Sequence, residues 1–171
     1  MIVAGIGCRK GARATDIEAA IATAFARAGV AISKLSVIAT SAAKGDESAI
    51  AEAAVTFGVP LVLISQGDLV AAGVRAKTRS ERVIALAGVP SVAEAAALAA
   101  GGAAARLIGP RIAVGGATCA LVEAEETGEG WHGRPRGTDL HSGTIPSPRE
   151  GGEKKGCASI CDSPTDTEAG P

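Results

Sequence analysis

The sequence contains no tyrosine, two phenylalanines and a single tryptophan, so any core it builds must be filled by Ala, Val, Ile and Leu. Phe25 and Phe57 are its only phenylalanines. Histidine is as scarce: His132 and His141 both lie in the last third of the chain. The preceding part therefore has no imidazole for a Ser-His-Asp or Cys-His pair and none to ligate a metal. The four cysteines, Cys8, Cys119, Cys157 and Cys161, are too scattered for a disulfide framework, and a reducing cytoplasm is the expected compartment. A formal net charge of −1 gives no reason to expect nucleic acid or a membrane surface as partner. No long apolar run is present either. The opening one is broken by Gly5 and Gly7, which excludes a signal peptide or membrane span there.

What the chain does have is aliphatic content, 47% hydrophobic residues, and 23 glycines that punctuate it. Residues 2–4 read as a buried strand, and Gly5, Gly7 and Gly11 as a loop in which ligand can approach bare backbone ahead of a helix N-terminus. Thr15 and Glu18 have the spacing of a capping box, and Ile17, Ile21, Ala24, Phe25 and Ala28 recur at helical period up to Gly29. A second strand is expected at 35–39, bounded by Thr40 and Ser41. A helix follows from Gly45-Asp46-Glu47 to Gly58, and a third strand at 61–64. Strand, helix, strand, helix, strand with short connections predicts an α/β fold, a three-layer α/β/α arrangement around a mainly parallel sheet. Residues 106–108, 112–114 and 118–122 read as further strands, the last pairing antiparallel to give a mixed sheet edge.

Between them, Ser91-Val-Ala-Glu94 repeats the capping-box spacing ahead of an alanine-rich helix ending at Gly101-Gly102. The loop before it carries Arg75, Lys77 and Arg79 and reads as a solvated connection. From residue 127 Gly, Pro, Ser, Thr and charge dominate, so the domain is expected to cover 1–126 and the remainder, 127–171, to be a disordered tail holding Trp131 and both histidines. The spacing of His132, His141, Cys157 and Cys161 fits no zinc finger or ribbon, and neither a metal nor a cofactor is expected.

The opening loop is an anion site in outline. It brings Cys8, Arg9 and Lys10 to a helix N-terminus, where a thiolate and a bound anion are both favoured. It is not a dinucleotide fingerprint, because the third glycine of G-x-G-x-x-G comes one residue late and no acid closes the second strand. Nor is it a phosphate loop, since Lys10-Gly11-Ala12 has the wrong order and no hydroxyl. Its simplest alternative is a tight turn whose glycines serve packing only. Thr40 and Ser41 sit where open α/β sheets bind ligands, with Lys44, Asp46 and Glu47 just beyond; the two acids equally suit a helix start.

Read together, Gly5-Ile-Gly-Cys-Arg-Lys-Gly11, Ala39-Thr40 with Lys44-Gly-Asp-Glu47, and Gly88-Val-Pro-Ser-Val-Ala-Glu-Ala-Ala-Ala-Leu98 resemble the CobE family. That family is equivalent to the C-terminal domain of CbiG proteins of cobalamin (vitamin B12) biosynthesis. The resemblance runs over residues 1 to about 126 and implies a precorrin or corrin intermediate as ligand, a large flat polycarboxylate. Its candidate binding residues are Gly5, Gly7, Cys8, Arg9, Lys10, Gly11, Thr40, Ser41, Lys44, Asp46 and Glu47, with Arg75 as a further cation for the carboxylates. Accessory or carrier binding beside the pathway enzymes is the first expectation. A lactone-opening hydrolase similar to CbiG is the second, and a structural anion-binding domain that assembles with pathway enzymes the third. CbiG-like domains commonly carry an Asp after the second strand where this chain has Ala42. That departure, with a chain starting at the first strand, favours the free-standing CobE type.

Overall fold

The computed structural model describes residues 1–125, and the expected tail with its tryptophan, histidines and last two cysteines lies outside them. The sheet is built around β1 (Ile2–Cys8), which has neighbours on both sides. It pairs parallel with β2 (Leu35–Ser41), which pairs parallel with β3 (Leu61–Ile64). On its other side β1 pairs antiparallel along its whole length with β6 (Ala117–Glu123). Two short strands, β4 (Arg106–Leu107) and β5 (Ile112–Val114), pair with successive parts of β6, so the strand order is β3-β2-β1-β6-β4. The sheet is thus mixed, and its parallel part is confined to β1, β2 and β3. The expected antiparallel strand is present, but it lies inside the sheet rather than at its edge.

Alternation along β1 divides the core into two sides. Ile2, Ala4 and Ile6 pack with Ile17, Ile21 and Phe25 of α1 (Ala14–Ala28) and Ile50 and Ala53 of α2 (Ser48–Phe57). On the opposite side Val3 joins Val37, Ala39 and Val62 against Leu69 of α3 (Gln66–Gly73) and Ala95 and Ala96 of α5 (Val92–Gly101). Helices on both faces of one sheet give the three layers that the βαβαβ order predicts. A register shift lets Leu35 pair with Ile2 while Val37 pairs with Val3. The extra residue, Ser36, is a bulge, and it explains why Leu35 packs towards α1 while Val37 packs towards α5. The small helix α4 (Glu81–Ala87) precedes the Ser91 cap.

Three local expectations are corrected. The first strand does not stop at Ala4: Gly5 and Gly7 lie within the ladder, Gly5 paired on both sides and Gly7 with Thr118 of β6. A Cβ on Gly5 would stand 2.0 Å from the Ala93 carbonyl oxygen and 2.6 Å from the Ala97 nitrogen, so this glycine is there because the α5 backbone lies directly on it. The capping box at Thr15 does not form either. The helix starts a residue earlier, with Arg13 as an extended N-cap that makes no side-chain cap and instead pairs with Asp16. Lastly, Thr40 and Ser41 end β2 rather than follow it, and α2 begins only at Ser48 after a 3-10 turn at Ala42–Lys44.

Candidate functional site at the ends of the parallel strands

The carboxyl ends of β1, β2 and β3 lead into the starts of α1, α2 and α3, and α5 also begins beside Gly7. Thr40, fully buried, donates its hydroxyl to the Ile6 carbonyl at 2.9 Å and ties the ends of β1 and β2 together. Ser41, also buried, accepts from the Ala43 N–H and caps the 3-10 turn. Both side chains are thereby committed to the frame. Gly5 and Gly7 belong to the frame as well, under α5.

The loop proper runs from Arg9 to Arg13. Arg9 is fixed at one end by its N–H on the Gly116 carbonyl and its Nη2 on the Gly115 carbonyl at 3.1 Å, so the β5–β6 hairpin holds its guanidinium. Gly11 has φ +73°, the left-handed conformation that favours glycine, and this turns its N–H towards α2. That N–H donates to Glu47 Oε2 at 3.2 Å, while Glu47 Oε1 lies 3.7 Å from Lys44 Nζ. The structure therefore unites Gly11, Lys44 and Glu47 in one cluster. Lys10 and Asp46 are exposed beside it, and neither makes a hydrogen bond or ion pair among the described residues.

Cys8 points to the α1 and α2 side, half-buried, within the electrostatic reach of Lys44 and Glu47. Burial pushes its thiol up from the ordinary value, Lys44 offsets part of the rise and Glu47 adds to it. Desolvation thus outweighs the pull of the nearby helix N-terminus towards thiolate, as suits a small packed thiol. Cys119, wholly buried in β6, is pushed up to about 12 by burial alone. A thiol-alkylating reagent with residue-resolved mass spectrometry is expected to modify Cys8 slowly near neutrality, the rate climbing only as pH passes the ordinary thiol value. Cys119 should stay unmodified until the chain unfolds. Because the folded form keeps the Cys119 proton longer, the stability this gives is present below the ordinary value of 9.0 and lost as pH rises from there towards about 12. Alkylation of Cys8 at neutral pH faster than free cysteine would reverse this assignment.

One residue lies away from where the sequence reading placed it, and a second has partners that the reading did not foresee. Arg75 is not near Arg9 and Lys10. Its guanidinium closes the other end of α5, donating to the carbonyls of Leu98, Gly102, Ala103 and Ala105, roughly 15 Å along the helix axis from the Ser91 end. Glu94, read only as half of a capping box, is fully buried. Its N–H does bond to Ser91 Oγ, but its carboxylate turns away and accepts from Lys77 N–H at 2.8 Å, Thr78 N–H at 2.9 Å and the Thr78 hydroxyl. An acid alone in an alanine helix was the sequence signal; its partners lie in a loop that no spacing rule connects to it. Hollows of about 350 Å³ and about 320 Å³ occur elsewhere, one lined by Ala24, Arg27 and Pro110 among others, the other by Arg75, Lys77 and Arg106. Neither touches the strand-end cluster, whose case rests on its donors rather than on a cavity. Among the described residues no group of three or more His, Cys, Asp or Glu comes together to hold a metal, and no single helix is long and apolar enough to cross a membrane.

The class defined here is a three-layer α/β domain with a mixed open sheet and one cationic loop, Arg9 to Arg13, at the end of the first of its parallel strands. Within that class the chain belongs to the family described as cobalamin synthesis G C-terminus, whose model matches residues 2–122. It is 38% identical over 120 residues to Protein CobE of Sinorhizobium sp, covering 70% of this chain and 78% of that protein. The crystal structure of CobE, a protein from the cobalamin (vitamin B12) biosynthetic pathway, superposes with a TM-score of 0.67 at 31% identity, over 71% of this chain and 89% of that one. Cobalamin biosynthesis protein chiG from Agrobacterium tumefaciens follows at a TM-score of 0.60 and 39% identity, over 74% of this chain and all of that one.

Proposed function

We propose that this chain binds a precorrin or corrin intermediate of cobalamin biosynthesis in the cytoplasm, as an accessory or carrier protein beside the pathway enzymes, and that the domain 1–126 carries the binding. Family membership supports the pathway. The observation that carries the binding is that the strand-end loop already holds a carboxylate. Glu47 accepts from the Gly11 N–H and is faced by the Lys44 ammonium, donors that a ligand carboxylate would take by displacing it. Lys10 and the remaining guanidinium donors of Arg9 are exposed in the same loop for the other carboxylates of a polyanionic ring, Arg9 at its β5–β6 end. A protonated Cys8 with no imidazole among the described residues suits binding rather than nucleophilic bond breaking.

The test is a spectral titration of the full chain with precorrin and corrin intermediates, with the mass of the ligand followed in parallel. A saturable spectral shift at unchanged mass is the expected result. The Arg9→Ala and Lys10→Ala pair should weaken binding about ten- to a hundredfold through loss of charge-assisted contacts, while melting barely moves. Loss of a two-carbon fragment would make the chain a hydrolase, and affinity unchanged in the double variant would remove this loop from the site.

A further inference from the structure

The loop between α3 and α4 carries Arg75, Lys77 and Arg79 and reads in the sequence as a solvated connection; its three cations are exposed, and hydrogen bonds through Arg75 and Glu94 tie it to α5 and the turn that follows. A carboxylate withdrawn from water is costly unless fully hydrogen-bonded, and Glu94, fully buried, uses its carboxylate to grip the main chain at Lys77 and Thr78. Arg75 is immobilised as firmly. Both of its Nη groups are committed to main-chain carbonyls at 3.0 to 3.4 Å, leaving the Nε–H as its remaining donor. Opposite this loop stands Arg106 on the short edge strand β4. Glu123 faces Arg106 across the β4–β6 ladder, but the two form no ion pair.

Between these elements lies the hollow of about 320 Å³, lined by Arg75, Lys77 and Arg106 and floored by Leu98, Ala105 and Leu107. Three cations and no acid line it, in a chain whose formal net charge is −1, so the positive character is local. The side chains of Lys77 and Arg106 make no hydrogen bond or ion pair among the described residues. Nothing in the fold uses them, while the frame that presents Lys77 is fixed by a buried carboxylate. The size is at the lower limit of small-molecule sites, enough for a single ring with its substituents.

We propose that this hollow is a second anion site, separate from the strand-end loop, that takes a compact polycarboxylate with an apolar body. Lys77 and Arg106 are the direct partners of the carboxylates, Arg75 contributes a fixed charge and its Nε–H, and Leu98, Ala105 and Leu107 receive the apolar face. The proposal does not depend on the cobalamin ligand, and its test uses a different probe.

The amide NMR shifts of the uniformly labelled full chain are followed during titration with trimesate, a flat aromatic tricarboxylate, against acetate at matched ionic strength. Saturable shifts are expected at Lys77, Thr78, Ala105, Arg106 and Leu107 with trimesate and not with acetate. Lys77→Gln with Arg106→Gln should weaken trimesate binding about tenfold or more without changing the melting temperature, and Arg9→Ala should leave it unchanged. Non-saturating shifts equal to those of acetate, affinity retained in the Lys77/Arg106 variant, or shifts centred on Arg9, Lys10 and Gly11 would each overturn the assignment.

Discussion

Replacing Gly5 with alanine, the smallest change that adds a Cβ, is expected to lower the melting temperature by about 10 °C or more, or to prevent soluble folding altogether. The added carbon would stand 2.0 Å from the Ala93 carbonyl oxygen, 2.6 Å from the Ala97 nitrogen and 2.8 Å from the Ala97 Cβ. None of these is the movable end of a flexible side chain. Relief requires α5 to lift off the sheet or β1 to shift, and β1 is hydrogen-bonded on both sides, to β2 and β6. Overpacking that side chains can absorb costs about 1–3 kcal/mol; one that must move a helix backbone should exceed that range, against a total stability of only about 5–15 kcal/mol. Gly7→Ala is the control. Its Cβ would approach Thr118 Oγ1 at 2.8 Å, a side chain that can rotate away at the loss of its bond to the Gly7 carbonyl, so the fall in melting temperature should be smaller. A Gly5→Ala protein melting within a few degrees of wild type would mean that α5 does not sit on β1 as described.

The same pair of glycines shows what could and could not be read from the sequence. A short apolar run followed by Gly-x-Gly looks alike whether it opens a ligand loop or continues as a strand beneath a close-packed helix. What distinguishes the two is Ala93 and Ala97, far along the chain, whose small side chains permit the contact. Elements set by local pattern were legible: the stripe Ile17, Ile21, Phe25 of α1, the neighbouring strands β1, β2 and β3, and helix ends at Gly29 and Gly58. Elements set by tertiary pairing were not. The place of β6 inside the sheet depends on its ladder with β1 from Ile2 to Cys8, which no period in the chain announces. In the strand-end site the residue types were legible while their commitments were not. Thr40 and Ser41 make hydrogen bonds within the frame, the two glycines lie under α5, and Glu47 accepts from the Gly11 N–H.

Glu94 is where a commitment hidden from the sequence should have the second largest effect. Glu94→Ala would leave the Lys77 and Thr78 N–H groups and the Thr78 hydroxyl without their acceptor, and would open a space inside the fold where the carboxylate is now fully buried. Each buried donor left unpaired costs about 1–3 kcal/mol, but the loop can swing outward and rehydrate, so the expected total is about 2–5 kcal/mol. Glu94→Gln keeps the shape and one acceptor oxygen while turning an amide N–H₂ towards donors, and its cost should fall between wild type and Glu94→Ala. Amide exchange separates this account from a loss of helix propensity. If the carboxylate holds the loop, exchange at Lys77 and Thr78 should accelerate in both variants before the rest of α5 does, because the Ser91 cap on the Glu94 N–H uses the main chain and survives the substitution. The loosened loop should also hold Lys77 less firmly, so trimesate affinity in the Arg75, Lys77 and Arg106 hollow should fall in the order Gln, then Ala, with all three charged lining residues still present. Unchanged exchange at Lys77 and Thr78 in Glu94→Ala, or trimesate affinity equal to wild type, would show that the loop holds its shape without the buried carboxylate.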